Sequence, residues 1–169
     1  MNVSDVMSRK VVAIPPTATF REVWRSLFKN KVNSLPVIDK KRHLLGIITR
    51  EELLERLYPD YQDLFASSDE FPDFEEIERK VSEPSDLKAQ GIMRRHVVFT
   101  HEDTAVMRAL SRMIVRRINQ LPVVTPDEVL VGMITKGDIF YSVFKKYMKR
   151  HPKEVRKEKS PKMKHAARG

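Results

Sequence analysis

Two segments of this chain place a threonine and a carboxylate three residues apart, directly after an apolar run. They are GMITKGD, which ends at Asp138, and GIITREE, which ends at Glu52. Each leads from a predicted strand into a predicted helix start, where unpaired backbone N–H groups and the helix dipole favour an anion such as phosphate. The hydroxyls of Thr135 and Thr49 can donate to phosphate, and the ionised carboxylate can accept from both hydroxyls of a ribose. These residues therefore suit the binding of a sugar phosphate.

The same pattern also has a purely structural interpretation. A threonine followed three residues later by an acidic residue at a helix start is a capping box or a near relative of one. Capping alone would explain Thr49 with Glu52 and Thr135 with Asp138. Taken in isolation, the pattern favours a helix cap over a ligand site.

The first segment differs from the second in its charge and reach. Glu52 stands where the second segment has Asp138, and Glu51 stands where it has Gly137. The longer carboxylate would misplace a ribose contact, and Glu51 adds negative charge close to any phosphate, although Arg50 can offset it. We therefore expect the first segment to bind a ligand less well than the second.

The elements that must position these segments occur twice. A shift of 86 residues aligns residues 7–54 with residues 93–140 without a gap. The identical pairs include Met7/Met93, Val11/Val97, Val12/Val98, Asn33/Asn119, Leu35/Leu121, Pro36/Pro122, Val37/Val123, Leu44/Leu130, Gly46/Gly132, Ile48/Ile134 and Thr49/Thr135. An internal repeat decides the architecture, so the chain is a tandem duplication.

Each copy is predicted to contain a strand, a helix, two strands and a closing helix. The runs VVAI and VVF have the length of a buried strand. Thr19 with Glu22 predicts a capping box at the first amphipathic helix. The polar turns DKKRH and TPDEV each join two apolar runs into a predicted hairpin. The amphipathic helices carry their apolar positions at helical spacing, in the sets Phe20, Val23, Trp24, Leu27, Phe28 and Val106, Ala109, Leu110, Met113, Ile114.

The closing helices differ in length between the copies. Pro59 ends the first early, whereas the second keeps its apolar spacing until Pro152. The apolar positions of the second are Phe140, Val143, Phe144, Tyr147 and Met148. We interpret these helix stripes, and Trp24, as core or as a face onto a second chain. Pro122 cannot donate to a strand ladder, which predicts a sheet edge or a bulge.

One copy of about 50 residues buries too little apolar surface to be stable alone. We therefore expect an α/β fold in which two β-α-β-β-α copies pack around a pseudo-twofold axis.

The composition excludes several classes of protein. The chain has no cysteine, which excludes disulfides, thiolate metal sites and cysteine nucleophiles. Its start lacks the apolar region of a secretory signal, and no apolar run approaches the ~20 residues of a membrane span, so we expect a cytoplasmic protein. No nucleophile–base set appears, so we expect neither an enzyme nor a metal site. The histidines, which form no metal-spaced pair on a predicted helix face, are His43, His96, His101, His151 and His165.

The net charge of +9 is unevenly distributed. Residues 1–54 carry +5, residues 55–86 carry −8, residues 87–144 carry +3 and residues 145–169 carry +9. We divide the chain into a first repeat (1–58), an acidic, aromatic-containing insert (59–86), a second repeat (87–150) and a basic tail (151–169) that we expect to be disordered. No base-reading fold accompanies the tail, so we do not expect nucleic-acid binding.

The insert is expected to be more than a flexible linker. Tyr58 directly precedes it, and the aromatic residues within it are Tyr61, Phe65, Phe71 and Phe74. Its segment FEEIERKV could form a short helix. A packed elaboration of one edge is one interpretation. A lid, a partner-docking surface or a clamp for the basic tail are the others.

The repeated motifs resemble the CBS domain family, named after cystathionine β-synthase. The order DVM, VVAI, helix, NSLPVID, LLGIITREE recurs as GIM, VVF, helix, NQLPVVT, LVGMITKGD, and the resemblance covers about residues 3–58 and 87–150. It implies a disc-like pair with clefts that bind AMP, ADP, ATP or related adenosyl ligands. It also implies frequent homodimers and control of a partner protein.

The resemblance also assigns site residues in the second copy. It gives Thr135 to the phosphate and Asp138 to the ribose. The adenine would lie against the strand that precedes them. The remaining expected contacts are Gln120, Leu121, Pro122, Val123, Thr100 and Lys136.

The corresponding set in the first copy is Thr49, Glu52, Ser34, Pro36, Val37 and Arg50. Basic residues that could reach a polyphosphate are Arg94, Arg95, His96, Arg116, Arg117 and Lys136. For each of these basic residues, a solvated surface charge is the alternative interpretation.

Two functional hypotheses follow. The first is a regulatory, non-catalytic module that binds an adenine nucleotide, requires no other cofactor, and signals to a partner. The alternative is a structural adaptor with degenerate clefts, which works through its acidic insert or its basic tail.

Overall fold

The two copies fold into the same order of elements. A computed structural model describes residues 1–57, 79 and 86–150, so the basic tail and all of the expected insert helix except Arg79, which is helical, lie outside the described residues. After a 3-10 turn (Val3–Asp5), the first copy contains α1 (Phe20–Lys29), β1 (Ser34–Ile38), β2 (Leu44–Thr49) and α2 (Arg50–Leu57). The second contains α3 (Ala89–Ile92), α4 (Val106–Val115), β3 (Gln120–Val124), β4 (Leu130–Thr135) and α5 (Lys136–Arg150). None of the described helices is long and apolar enough to cross a bilayer.

The predicted hairpins are present in both copies. β1 pairs with β2 and β3 with β4, each antiparallel, in two separate two-stranded sheets. The register slips between Val37 and Ile38 in one hairpin and between Val123 and Val124 in the other. The edge or bulge expected from Pro122 is therefore confirmed, because its strand belongs to a two-stranded sheet and the bulge begins at the next residue.

The prediction of a strand at VVAI and at VVF is wrong. Only Ile14, the last residue of VVAI, and Thr100, the residue after VVF, pair with a strand, through single parallel bridges to Val37 and Val123. In the first bridge, the N–H of Ile14 donates to the carbonyl of Pro36 at 3.0 Å. The next bond of a parallel ladder would need a backbone N–H on Pro36, which proline lacks, so the pairing stops after one residue.

Helices α1 and α4 bury the faces that their spacing predicts, apart from the outer edges. Phe28 and Ile114 are 44% and 58% exposed, so for these two positions core is wrong and a face onto a second chain remains. The capping box of α1 is confirmed: the backbone N–H and the hydroxyl of Thr19 donate to Glu22, and the Glu22 backbone N–H donates to Thr19. These bonds hold the pKa of Glu22 below its usual value. Trp24 is partly buried and packs against the first core.

The apolar stripe of α5 lies on the surface. Phe140, Val143 and Phe144 are between 46% and 60% exposed, although their spacing is that of a buried helix face. Among residues 136–149, whose burial the structure describes, Ile139 alone is fully buried. Of the two interpretations of the stripe, core is therefore wrong within the described residues, and a face onto another molecule remains.

Each core is completed by a segment that belongs to the other repeat in sequence. Val3 and Met7 precede the first repeat's helix, yet they pack in the core of α4, β3 and β4. Ala89, Ile92 and Met93 precede the second repeat's helix, yet they pack in the core of α1, β1 and β2. The two leading segments are thus exchanged, and neither core is complete without both copies.

The exchanged segments are attached by symmetric backbone bridges. Ser8 exchanges two hydrogen bonds with Met133, and Arg94 exchanges two with Ile47, at 2.9–3.0 Å. Each partner of one bridge lies 86 residues from a partner of the other, so the bridges are related by the pseudo-twofold axis. His43 pairs across that axis with Val129, its own counterpart.

The exchange explains the glycine in each repeated motif. A Cβ on Gly46 would lie 2.5 Å from the sulfur of Met93 and 3.0 Å from the Arg94 carbonyl. A Cβ on Gly132 would lie 2.7 Å from the sulfur of Met7. The glycines therefore make room for the methionine of the other repeat, and the repeated Met and Gly pairs are two sides of one contact.

We predict that Gly46→Ala and Gly132→Ala each lower the free energy of unfolding by about 1–3 kcal/mol, because an added methyl overpacks the exchanged contact. Urea denaturation followed by circular dichroism measures this change.

Gly91→Ala is the matched control. A Cβ there would meet only Leu87, at 3.9 Å, and Gly91 lies within a helix, so alanine should leave stability unchanged or raise it slightly. Equal losses in all three variants would contradict the packing argument.

Candidate functional site

A cleft of about 530 Å³ lies between the two repeats. One wall comes from the junction where β2 ends at Thr49 and α2 begins at Arg50. The opposite wall comes from the start of β3, with Gln120 and Pro122. Its volume falls in the range of about 300–1,000 Å³ that is usual for small-molecule sites.

Most of the remaining lining comes from two further parts of the second repeat. His96, Val97 and Val98 belong to the exchanged leading segment, and Arg117 follows the end of α4. The valines contribute an apolar surface, and Asn33 and Asn119, one from each repeat, contribute amides. The cleft thus combines a flat apolar side with polar groups that can orient a ligand.

The cleft draws on both sets of residues that the sequence assigned to separate sites. Thr49 and Arg50 come from the first set, and Gln120 and Pro122 come from the second. From the sequence, each threonine was expected to share a site with the preceding strand of its own copy. In the structure, this cavity instead places Thr49 beside β3 of the other copy. Thr135 pairs directly with Gln120 across the second hairpin and is not part of the lining.

Several expected contact residues face the cores instead. Leu121, Val123 and Val37 are fully buried and their side chains belong to the hydrophobic cores, so only their backbone could border a base. Side chains alternate along a strand, so Gln120 and Pro122 face the cleft while the residues between and after them face inward.

Two expected hydroxyls are buried with no hydrogen-bond partner in the described part of the chain. Thr100 is fully buried, and Ser34 is 5% exposed. Neither side-chain oxygen has a partner there. Neither residue lines the described cleft, although Ser34 pairs directly with Thr49 in the first hairpin.

Both threonine–carboxylate pairs are helix caps. The backbone N–H and the hydroxyl of Thr135 donate to Oδ2 of Asp138, at 2.9 and 2.7 Å. The backbone N–H of Thr49 donates to Oε2 of Glu52 at 2.7 Å, and its hydroxyl donates to the same oxygen. Each cap therefore uses one carboxylate oxygen and leaves the other for a different partner.

The second oxygen distinguishes the two pairs. Oε1 of Glu52 forms an ion pair with the guanidinium of Arg94, and the Glu52 side chain is 8% exposed. Oδ1 of Asp138 has no hydrogen-bond partner among the described residues. The position equivalent to Arg94 holds Ser8, whose hydroxyl lies 3.5 Å from the carbonyl of Lys10. The carboxylate of the first pair is thus occupied, and that of the second is available.

Arg50 is held against the cleft wall. Its guanidinium carbon lies 5.3 Å from the centroid of the Phe28 ring, and one terminal nitrogen donates to the Val32 carbonyl at 3.4 Å. Its Nε is buried and has no partner in the described part of the chain. The arginine therefore keeps a desolvated donor beside the cleft.

The other expected basic residues lie at different places. Lys136 donates through Nζ to Oδ1 of Asn119 at 3.3 Å. Arg95 and Arg116 do not line this cleft; they line smaller cavities of about 230 and 490 Å³. Sequence reasoning missed the valines of the leading segment as cleft residues. Their identity in both copies was the available signal, but it was read as a strand.

A family model described as CBS domain matches residues 3–59 and 88–145. An uncharacterized protein of Methanocaldococcus jannaschii is 26% identical over 150 residues, which cover 82% of this chain and 89% of that protein. The inosine-5′-monophosphate dehydrogenase of the same organism is 26% identical over 135 residues, 80% of this chain but 22% of the enzyme. Two further archaeal relatives are matched over 41% and 61% of their length.

Solved structures show the same fold. The CBS domain pair of protein MJ0100, in complex with 5′-methylthioadenosine and S-adenosyl-L-methionine, superposes with a TM-score of 0.63 and 25% identity. That match covers 86% of this chain and 98% of the other. The CBS-pair protein CBSX2 from Arabidopsis thaliana gives a TM-score of 0.70 at 22% identity, covering 88% of this chain and 96% of the other.

We predict that Arg94→Ser lowers the free energy of unfolding by about 1–3 kcal/mol. The substitution leaves the nearly buried carboxylate of Glu52 without its cation, but the Arg94 side chain is 57% exposed, so the loss is smaller than for a fully buried pair. Thermal and urea denaturation measure it.

Arg95→Ser is the matched control, since the neighbouring arginine is exposed and forms no ion pair with another described residue. If both variants are equally stable, the Arg94–Glu52 pair does not contribute to the fold.

Proposed function

This chain belongs to the CBS domain family, and we propose on that premise that it is a regulatory, non-catalytic module. In this proposal it binds an adenine nucleotide, AMP, ADP or ATP, between its repeats and passes the bound state to a partner protein. The observation that carries the proposal is the cleft of about 530 Å³ between the repeats, at a junction of strand and helix. The domain pair of MJ0100, which has the same fold, was solved with two adenosine compounds.

Asp138 is the residue that we assign to the ribose. Its Oδ1 is available, and an ionised carboxylate oxygen accepts from the two neighbouring hydroxyls of a ribose. The Thr135 hydroxyl donates to Asp138 and could turn to a phosphate only by giving up that bond, so in this proposal the phosphate is bound mainly by backbone N–H groups at the start of α5. The capping bonds support this assignment rather than compete with it, because they use only Oδ2 and fix the orientation of the carboxylate.

The pseudo-twofold relation indicates what faces Asp138. The described cleft joins Thr49 to the start of β3 in the other repeat, so its counterpart joins Thr135 to the start of β1, at Ser34 and Pro36. The buried hydroxyl of Ser34, which lacks a partner in the described part of the chain, supports a polar ligand group at this place. We therefore propose two clefts, each built from the helix start of one repeat and the strand of the other.

The exposed stripe on α5 supports self-association. Phe140, Val143 and Phe144 share one side of the helix, and α5 packs against α4. Helix α4 itself exposes Met107, Ile114 and Val115. An apolar surface of this kind marks an interaction site, and we propose that a second copy of the chain covers it. The alternative occupant is the regulated partner, which would make the chain an adaptor.

For the nucleotide proposal, we predict saturable binding of at least one compound among AMP, ADP, ATP, 5′-methylthioadenosine, S-adenosylmethionine and NAD in isothermal titration. Asp138→Asn should weaken one set of sites by about tenfold or more, because a neutral amide replaces the charged acceptor of the ribose hydroxyls. Asparagine still offers one oxygen to the cap, so the fold is retained.

Asp127→Asn serves as the control for the change of charge, because Asp127 is exposed in the hairpin turn of the same repeat. If the folded protein binds none of these compounds, the nucleotide proposal is wrong and the adaptor hypothesis takes its place.

For the dimer, we predict that Phe144→Glu shifts the protein from dimer to monomer in sedimentation velocity without lowering the melting temperature, since the side chain is 57% exposed. Lys145→Glu, one residue further along the same helix, should leave the dimer intact. A wild-type protein that is monomeric at all concentrations would overturn self-association through this face.

A further inference from the structure

The described cleft carries more cationic than anionic groups. Its lining includes Arg50, Arg94 and Arg117, together with His96, against one carboxylate, Glu51. Arg94 is neutralised by the adjacent Glu52, so Arg50 and Arg117 are the two arginines whose charge is left for a ligand. Arginine presents a planar set of donors that matches the oxygens of a phosphate.

Arg50 is oriented for this task. The ring of Phe28 and the carbonyl of Val32 hold its guanidinium in place, so little side-chain freedom is lost when a ligand binds. Its Nε has lost water without gaining a partner in the described part of the chain, and buried donors of this kind are normally hydrogen-bonded. Because this Nε is closed off from solvent, a phosphate in the cleft would be bound through the terminal nitrogens of the guanidinium.

Arg117 occupies a backbone position that favours glycine. Its φ is +53°, in the left-handed region, directly after α4. Glycine adopts this conformation at a lower conformational cost than arginine. An arginine is nonetheless present, and it lines the cleft. Lys31, its counterpart in the first repeat, has the same φ of +53° and does not line this cleft.

Glu52, the counterpart of Asp138, is not available to a ribose. Glu52 gives one oxygen to the cap of α2 and the other to Arg94. A ligand here therefore lacks the ribose acceptor that Asp138 offers in the other repeat, and its phosphates are the groups that Arg50 and Arg117 can bind. In the other cleft, Asp138 keeps an oxygen that a ribose can use.

Resting on the proposed function, we propose that the two clefts recognise different parts of the ligand. The cleft beside Glu52 binds the di- or triphosphate of an adenine nucleotide through Arg50 and Arg117, and it does not retain an uncharged nucleoside. The cleft beside Asp138 recognises the ribose, so it accepts nucleosides and nucleotides alike. The module would then respond both to the presence of an adenosine compound and to its number of phosphates.

Isothermal titration of the full chain with ATP and with 5′-methylthioadenosine tests this division. Wild-type protein should bind two equivalents of ATP but one of 5′-methylthioadenosine. The Asp138→Asn variant should retain one equivalent of ATP and lose 5′-methylthioadenosine. In that variant, inorganic tripolyphosphate should displace ATP, because the remaining cleft recognises phosphate.

Two glycine substitutions, each added to Asp138→Asn, then identify the arginine. Arg117→Gly should weaken ATP binding by about tenfold or more, as expected for the loss of a charge-assisted hydrogen bond. Lys31→Gly should leave ATP binding unchanged, although it removes a positive charge from the same backbone conformation. Glycine adopts the positive φ at both positions without steric cost, so neither variant should have a lower melting temperature than Asp138→Asn alone.

The proposal is overturned if Asp138→Asn binds 5′-methylthioadenosine as tightly as ATP, if tripolyphosphate does not compete, or if the two glycine variants bind ATP equally. In each of these cases wild-type protein still binds an adenosine compound, so the proposed function stands. If wild-type protein binds neither compound, the proposed function itself fails.

Discussion

The close contact between a methionine of one repeat and a glycine of the other is the constraint on which the rest of the structure depends. Met93 lies against Gly46, and Met7 lies against Gly132, at distances that leave no room for a Cβ. These contacts draw each leading segment onto the opposite hairpin, which completes both cores and sets the two repeats face to face. The cleft is a product of this arrangement, because its floor is the continuation of the segment that Met93 anchors.

The helix-start carboxylates show how one residue can be structural and functional together. A cap needs one oxygen, and a carboxylate has two. In Asp138 the second oxygen remains available among the described residues, whereas in Glu52 it is taken by an arginine from the exchanged segment. A pattern that is ambiguous in sequence therefore resolves into two different states. The difference comes from the residue that the other repeat's leading segment places nearby, which is Arg94 for Glu52 and Ser8 for Asp138.

Features that depend on neighbours in sequence could be predicted, and features that depend on the other repeat could not. The capping box at Thr19 and both hairpins follow from local spacing, and they are present. The duplication and the family follow from the aligned motifs. The strand predicted at VVAI does not form because Pro36, in the adjacent strand, lacks the backbone N–H that a second bridge would need. That Thr49 and Gln120 line the same cleft could not be predicted, because no local sequence pattern shows which hairpin faces which helix start.

The exchange of leading segments has a consequence for ancestry. A chain with a single repeat could complete its core only by borrowing the leading segment of another chain, so it would be an intertwined dimer with two identical clefts. Fusion of two copies into one chain keeps that geometry and frees each copy to change separately. The serine at one bridge and the arginine at the other, Ser8 and Arg94, are such a divergence. Within one chain, the symmetric arrangement serves as a scaffold on which the two sites can differ.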